Sequence, residues 1–383
     1  VNIAVAHWSI NPLGGAEKLC LTVIKSLKSA GHKVTLITVE KTDWMLVKRN
    51  FGHVYLPDNQ SFLTTSNISK SRQAFNITLA FTLFGAKLLS LRKEKAYDVI
   101  INTYGDIDVL CPFADITYIH FPIRAISKYS QFPPITSIIE WKLYHKLYSS
   151  ATFFLDPFNQ GIIITNSKFT KKVIRDYLHK NALVVYPPVN AKLLKTTIQI
   201  KGRKNIVATV SGYSPKRRLE YIPLIAKYAR SAKFIVVGRT GAHSQDVLKK
   251  LDQIARRLNV RDRISFLTDV PRPELLKLLS QAKVYLHTMP YDHFGIALVE
   301  AMALGCVPVV HRSGGPWLDI LNEEQGKYGW AYQDPQEAGE YIEMLINDED
   351  GRRCMALNAL ERAQLFDESV FQRKILKIVE KFS

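Results

Sequence analysis

The sequence predicts an α/β protein built from two doubly wound, Rossmann-like domains. Three observations carry that expectation. Short apolar runs rich in Val and Ile alternate with helical patterns almost throughout. The alternation breaks near the middle at YPPVNAKLLKTTIQIKGRK, 186–204, a basic stretch bearing two prolines. A chain of 383 residues also exceeds one ordinary core. The expected domains are 1–190 and 205–365, joined by a linker at 191–204.

The elements follow in order. Val1–His7 reads as a strand, Gly14–Gly15 as a turn and Ala16–Ser29 as a helix. Lys33–Val39 is the next strand, and a long helix around 68–93 precedes strands at Tyr97–Asn102 and Ile116–His120. Ile138–Ser149 reads as an aromatic-rich helix, Ile162–Thr165 as a strand and Lys168–Leu178 as a helix. A second series starts at Ile206–Val210, with strands at Lys233–Val237, Ile264–Leu267, Val284–His287 and Val307–Val310. Helices lie between them, and 335–347, 350–365 and 368–381 close the chain as helices. Ligands of such sheets bind beyond the strand C-terminal ends, so a cleft between the domains is the expected site.

Composition narrows the class. The hydrophobic fraction of 47% and charged fraction of 22% are those of a globular protein. Val1–Ala6 reads as a strand rather than a signal peptide, and no apolar run reaches membrane-spanning length. The nearest, 75–91, is interrupted by Asn76 and Lys87 and flanked by Lys70, Arg72, Arg92, Lys93 and Lys95. It fits a helix lying in a membrane interface, and equally a helix packed on a sheet. Cys20, Cys111, Cys306 and Cys354 are scattered, which argues against a disulfide framework or zinc site and fits a reducing compartment. The net charge is +18, and residues 1–200 hold 24 basic against 12 acidic side chains. Such an excess suits phospholipid surfaces, nucleic acid or nucleotide phosphates, with solubility alone as the plain alternative.

Four constellations fall at expected strand ends. Gly14-Gly15-Ala16-Glu17 opens the first helix and exposes amides at its positive end. It lacks a full G-x-G-x-x-G, so nicotinamide redox chemistry is not supported. Tyr118-Ile119-His120-Phe121-Pro122 ends a buried strand on a histidine able to donate to a phosphate or hydroxyl, though a lone histidine also serves structure. Ser211-Gly212-Tyr213-Ser214-Pro215-Lys216-Arg217-Arg218 sets three cations at a strand-to-helix turn. Cations there oppose the helix dipole unless an anion such as a diphosphate neutralises them. Finally, YDHFGIALVEAMALGCVPVVHRSGGPWLD, 291–319, places Asp292 before a Phe294-Gly295-Ile296 turn and Glu300 eight residues on. Ser313-Gly314-Gly315-Pro316 then repeats the amide-exposing turn. Carboxylates accept from sugar hydroxyls while helix N-termini favour phosphates, so the segment suits a ligand carrying both.

In order along nearly the whole chain, these residues resemble the family 4 retaining glycosyltransferases of GT-B fold. ITNSKFTKK, 164–172, and YPPV, 186–189, belong to the same resemblance. HFGI, 293–296, and VVHRSGGPWLDI, 309–320, look like the dolichol-pathway mannosyltransferases of N-glycan assembly. The first loop, GGAEKL, is closer to the branch that adds core α-1,3/1,6 mannoses, and the C-terminal segment to the branch that adds α-1,2 mannoses. The resemblance implies two Rossmann-like domains facing across a cleft, with a last helix, within 366–383, packed back on the first domain.

It also implies roles. Glu300 would bind donor ribose hydroxyls. Asp292 would bind the transferred sugar, standing where the family usually has Glu. Backbone amides around Phe294, Gly295 and Ile296, and at Gly314 and Gly315, would hold sugar and phosphate. Arg217 replaces the usual diphosphate-binding Lys. Gly212 falls where many members have Arg, with Lys216, Arg218 or Arg239 as substitutes. His120 matches the histidine beside the reacting sugar, and Gly14 and Gly15 form the acceptor-side phosphate loop. The implied enzyme is an α-mannosyltransferase using GDP-mannose, and the resemblance implies neither a cofactor nor a bound metal. Its acceptor is a polyprenyl- or dolichyl-phosphate-linked glycan, reached as a peripheral protein on the cytoplasmic face of an anionic membrane. UDP-sugar transfer or a sugar-nucleotide epimerase are the alternatives within the fold. A basic binding module is the alternative outside it, although no nucleic-acid-binding motif accompanies the charge.

Overall fold

A computed structural model describes residues 1–65, 74–106, 113–129, 161–195, 200–241 and 243–382. The helix expected at 138–149, the start of the helix expected at 68–93, and Cys111 lie outside the described residues. The chain divides into two compact units, Val1–Pro188 with Ser369–Ser383, and Val189–Glu368.

The first unit is a seven-stranded parallel sheet. Its strands are β1 (Asn2–Ala6), β2 (Lys33–Glu40), β3 (Asn59–Thr64), β4 (Val99–Asn102), β5 (Ile116–Ile119), β6 (Ile162–Thr165) and β7 (Leu183–Val184), in the order β3-β2-β1-β4-β5-β6-β7. Parallel strands are covered on both faces, which is why β1, β4 and β5 read as continuous apolar runs. β3 went unread because its sequence, NQSFLT, is a half-polar edge strand without such a run. Helices α1 (Gly15–Ser29), α2 (Trp44–Phe51), α3 (Ala74–Lys93), α4 (Ile126–Tyr129) and α5 (Lys168–Leu178) accompany these strands. Ser167 caps α5 by accepting from the Thr170 amide, and His179 ends it in a left-handed conformation. Ala80, Phe84 and Leu88 of α3 are buried with Ile37 and Ile100, so this part of 75–91 packs on the sheet.

The second unit repeats the design with six parallel strands: β8 (Lys204–Val210), β9 (Lys233–Gly238), β10 (Ile264–Thr268), β11 (Ala282–His287), β12 (Val307–His311) and β13 (Trp330–Tyr332). Their order is β10-β9-β8-β11-β12-β13. Its helices are α6 (Ala191–Lys195), α7 (Tyr221–Ala226), α8 (Ser244–Arg257), α9 (Arg272–Gln281), α10 (Ile296–Ala303), α11 (Pro335–Asn347) and α12 (Glu349–Ala363). The stretch expected as linker is not simply a connector: α6 forms within it and packs against α10. A final helix, α13 (Glu368–Val379), buries Phe371, Ile375, Ile378 and Val379 in the first unit's core beside Ile3 and Val34. Each sheet reverses its winding once, between β1 and β4 and between β8 and β11, and ligands of such sheets sit at those reversals.

Candidate active site

In the second unit, the residues expected to bind donor gather beyond the C-terminal ends of β8, β9, β11 and β12. β11 ends on His287, whose Nε2 lies 2.9 Å from Oδ2 of Asp292. The Arg217 guanidinium stands 3.7 Å from the same oxygen, and Oδ1 accepts from the His293 amide at 2.7 Å. Burial opposes the charge of Asp292. The hydrogen bond and charge of His287, with the charge of Arg217, outweigh it and hold the carboxyl well below its ordinary range. Asp292 is therefore ionised at every physiological pH.

The two glycine motifs interlock. Gly315 donates its amide to the Asp292 carbonyl at 2.8 Å, and Ser313 Oγ accepts from the Tyr291 amide at 2.9 Å. A Cβ on Gly314 would lie 2.5 Å from the Asp292 carbonyl oxygen, and one on Gly315 2.4 Å from that of His293. These glycines thus permit two loops to touch, and the Gly315 amide, expected to hold ligand, is used within the protein. Ser313 also meets Nδ1 of His311 at 2.8 Å, and burial, then His287 and Arg218, push that imidazole down to about 4. Gly295 takes φ +99° at the start of α10, a conformation that favours glycine, and Phe294 is buried edge-on against Phe366. Ile296 is the first residue of α10, so amides of its first turn face the strand-end side of the sheet.

The basic turn is a single 3₁₀ turn, Pro215–Arg217, in the loop after β8. Its cations separate. Arg217 faces Asp292, and its own carbonyl accepts from Thr288 at 2.8 Å. Arg218, in the left-handed region, pairs with Glu220 and lies over the Tyr221 ring. Lys216 and Arg239 are exposed, the latter just past the end of β9. Glu300, 6% exposed in the interior of α10, is held by both terminal nitrogens of Arg272, at 2.9 and 2.6 Å.

The first unit builds a separate polar cluster at the ends of β1, β4 and β5. Thr103 Oγ1 donates to the Ala6 carbonyl at 3.0 Å, so at 2.9 Å it accepts from Nδ1–H of His7. His7 Nε2 lies 3.7 Å from Oε1 of Glu17, and Oε2 of Glu17 accepts the Gly14 amide at 2.5 Å. The Gly14 amide is thus used by Glu17, while Gly15 opens the first turn of α1. His120 Nε2 sits 3.1 Å from the Thr103 carbonyl, which only accepts, so Nε2 carries the proton. Burial, partly offset by Asp106, lowers its pKa, leaving Nδ1 an acceptor at neutral pH. Asp106 fixes this loop by accepting the His120 and Phe121 amides, and Asn166 holds the His120 carbonyl at 2.8 Å.

The buried His7 makes this unit sensitive to pH. Burial disfavours its charge, but the Cys20 sulfur and the Glu17 carboxylate overcome that and raise it to about 9. A raised histidine stabilises fully below its unfolded pKa, about 6.5, and loses that contribution as pH rises through about 9. The melting temperature is expected to fall by roughly 5 °C between those pH values. In His7→Gln most of that slope should vanish; a slope equal to the parent's would show that His7 is not its source.

Asp292 and Arg217 are therefore brought together with Gly314 and Gly315, while Glu300 and Arg218 have partners of their own. His7, His287, Asp106 and Arg272 were not read from the sequence. The signal for His7 and His287 was available, since each ends an apolar run as His120 does.

Comparisons with known proteins relate the chain to a family and a fold. Residues 194–362 match the family model for glycosyl transferases group 1. The chain is 29% identical over 438 aligned positions to a Dictyostelium discoideum protein named GDP-Man:Man(3)GlcNAc(2)-PP-Dol alpha-1,2-mannosyltransferase, covering 99% of this chain and 84% of that one. A Neurospora crassa protein of the same name is 26% identical, covering 98% and 79%. A Kluyveromyces lactis alpha-1,3/1,6-mannosyltransferase is 25% identical, covering 91% and 77%. Among solved structures, Anabaena HepE in complex with UDP superposes with a TM-score of 0.72 at 20% identity, covering all of both chains. WaaG, a glycosyltransferase involved in lipopolysaccharide biosynthesis, gives 0.66 at 14%, covering 97% and 98%. The chain is a GT-B glycosyltransferase with a group 1 glycosyl transferase domain at 194–362, related over its length to dolichol-pathway mannosyltransferases.

Proposed function

We propose that the chain transfers mannose from GDP-mannose, with retention of configuration, to a hydroxyl of a lipid-linked oligosaccharide. The observation that carries this is the ionised Asp292 set beside Arg217 at the winding reversal of a sheet, in a chain related end to end to GDP-mannose-dependent enzymes. In this reading the acceptor oxygen bonds to the sugar C1 as the C1–O bond to the β-phosphate breaks. The acceptor proton passes to the leaving diphosphate, and GDP departs.

Arg217, Lys216, Arg239 and the first-turn amides of α10 stabilise the charge that grows on the diphosphate. Asp292, with Gly295 and Ile296, orients the mannosyl group, and Glu300 takes the ribose. His120 and the N-terminal turn of α1 at Gly15 serve the acceptor. Fixed cations and amides already supply positive charge at the phosphates, so the reaction as read needs neither metal nor cofactor.

A lipid-linked acceptor calls for a membrane surface. No helix among the described residues is long and apolar enough to cross a membrane. Instead α2 presents Met45, 85% exposed, and Leu46, with Lys41, Lys48 and Arg49 exposed around them. Trp44 of α2 donates to Gln60 of β3, and exposed Phe62 shares the strand face of Gln60, so it extends this apolar edge. Apolar side chains ringed by cations fit peripheral docking on the anionic, cytoplasmic leaflet.

One reconstitution tests both parts. Anionic vesicles carrying a polyprenyl-diphosphate oligosaccharide are incubated with the protein and either GDP-mannose or UDP-sugars. Mannose transfer from GDP-mannose, with protein floating on the vesicles, is expected. Transfer from a UDP-sugar alone would overturn the donor, and donor epimerisation without acceptor would overturn the transferase. Absence of flotation would overturn the membrane placement.

A further inference from the structure

Arg272 lies outside every motif read from the sequence, yet it holds both carboxylate oxygens of Glu300. We propose that Arg272 is a positioning residue that sets the plane of the Glu300 carboxylate for the two ribose hydroxyls of the donor. This rests on the nucleotide-sugar reading above. Glu300 projects from the second turn of α10 and is almost wholly buried, where a carboxylate is costly without a charged, hydrogen-bonded partner. Arg272 supplies one with a fork: Nη1 donates to Oε2 and Nη2 to Oε1.

A lysine would neutralise the charge at one point and leave the carboxylate free to rotate. A guanidinium fixes both oxygens at once, and with them the carboxylate plane. The arrangement is one-sided as well. The arginine side chain remains 48% exposed while the glutamate side chain is 8% exposed, so the cation covers the acid from the solvent side. Arg272 is the first residue of α9, which starts just beyond β10, on the strand-end side where ligands of such sheets bind. Each carboxylate oxygen can accept a second hydrogen bond, and a cis-diol matches a carboxylate whose plane is already set. Preorganisation of this kind acts on ribose recognition and not on the diphosphate or the base.

The test uses calorimetric titration of the full chain and of Arg272→Gln and Arg272→Lys with GDP, 2′-deoxy-GDP, UDP and 2′-deoxy-UDP. The base that binds tests the donor, and the ribo-to-deoxy ratio on that base tests Arg272. The parent is expected to prefer the ribonucleotide by about 10-fold or more, the loss typical of a hydrogen bond to a charged group. Arg272→Gln should bring the ratio to within about threefold of unity, with Arg272→Lys between. An unchanged ratio in Arg272→Gln, or an equal loss for ribo- and deoxynucleotide, would overturn the proposal. So would a parent ratio near unity. Tight UDP binding with a collapsing ratio would uphold Arg272 while overturning GDP-mannose as donor, and no binding by any of the four would overturn both.

Discussion

Asp292→Asn is expected to lower kcat/KM by about 10²- to 10³-fold with little change in overall fold. The substitution keeps shape and removes charge. In the parent, Oδ2 takes the His287 ring at 2.9 Å and stands 3.7 Å from the Arg217 guanidinium. An asparagine leaves Arg217 without its anion and presents either an amide N–H or a neutral oxygen to His287. Hydrogen bonds to a charged group are worth about 1.5–3 kcal/mol each; Asp292 loses its charge toward His287 and toward a sugar hydroxyl together, and each 1.36 kcal/mol in the transition state is tenfold in rate. Some of that loss falls on stability, which sets the lower end of the range. Steady-state kinetics at saturating acceptor, with a melting curve for each protein, separate the two. Activity within threefold of the parent would remove Asp292 from the working site.

Gly315→Ala is expected to damage the same site without touching a charged group. Its Cβ would meet the His293 carbonyl oxygen at 2.4 Å and Phe294 Cα at 2.8 Å, and both are backbone atoms. No flexible side chain is available to give way, so the Asp292–Gly295 loop must shift or the hydrogen bond from the Gly315 amide to Asp292 must break. Displacements near 1 Å in a positioned site cost on the order of 10²-fold in rate. The melting temperature should fall by roughly 2–8 °C, as for other strained core-loop substitutions of 1–3 kcal/mol. Gly314→Ala adds a left-handed φ of +69° to a 2.5 Å contact and should be at least as harmful. A Gly315→Ala enzyme with parental kinetics would show that the interlocked loops do not position Asp292.

Much of the fold was legible because parallel strands covered on both faces must be apolar runs, as IIIT at 162–165 and VPVVH at 307–311 are. β3 and β13 were not, since an edge strand such as NQSFLT and a three-residue WAY lack enough apolar contrast to be seen. The site divides in the same way. Asp292 and Glu300 stand out by spacing beside a glycine turn, which is local information. Arg217 beside Asp292 and Arg272 on Glu300 are not local.

The sequence by itself determined that strands and helices alternate in two series, that glycines, acids and cations sit at strand ends, and that the chemistry belongs to phosphates and sugar hydroxyls. Only the tertiary structure decided which group each of these serves. Gly315 gives its amide to the Asp292 carbonyl, and Glu300 is gripped by Arg272, 28 residues away. The reason is geometric. A parallel sheet delivers the ends of distant strands to one edge, so partners there are chosen by strand order rather than by separation along the chain.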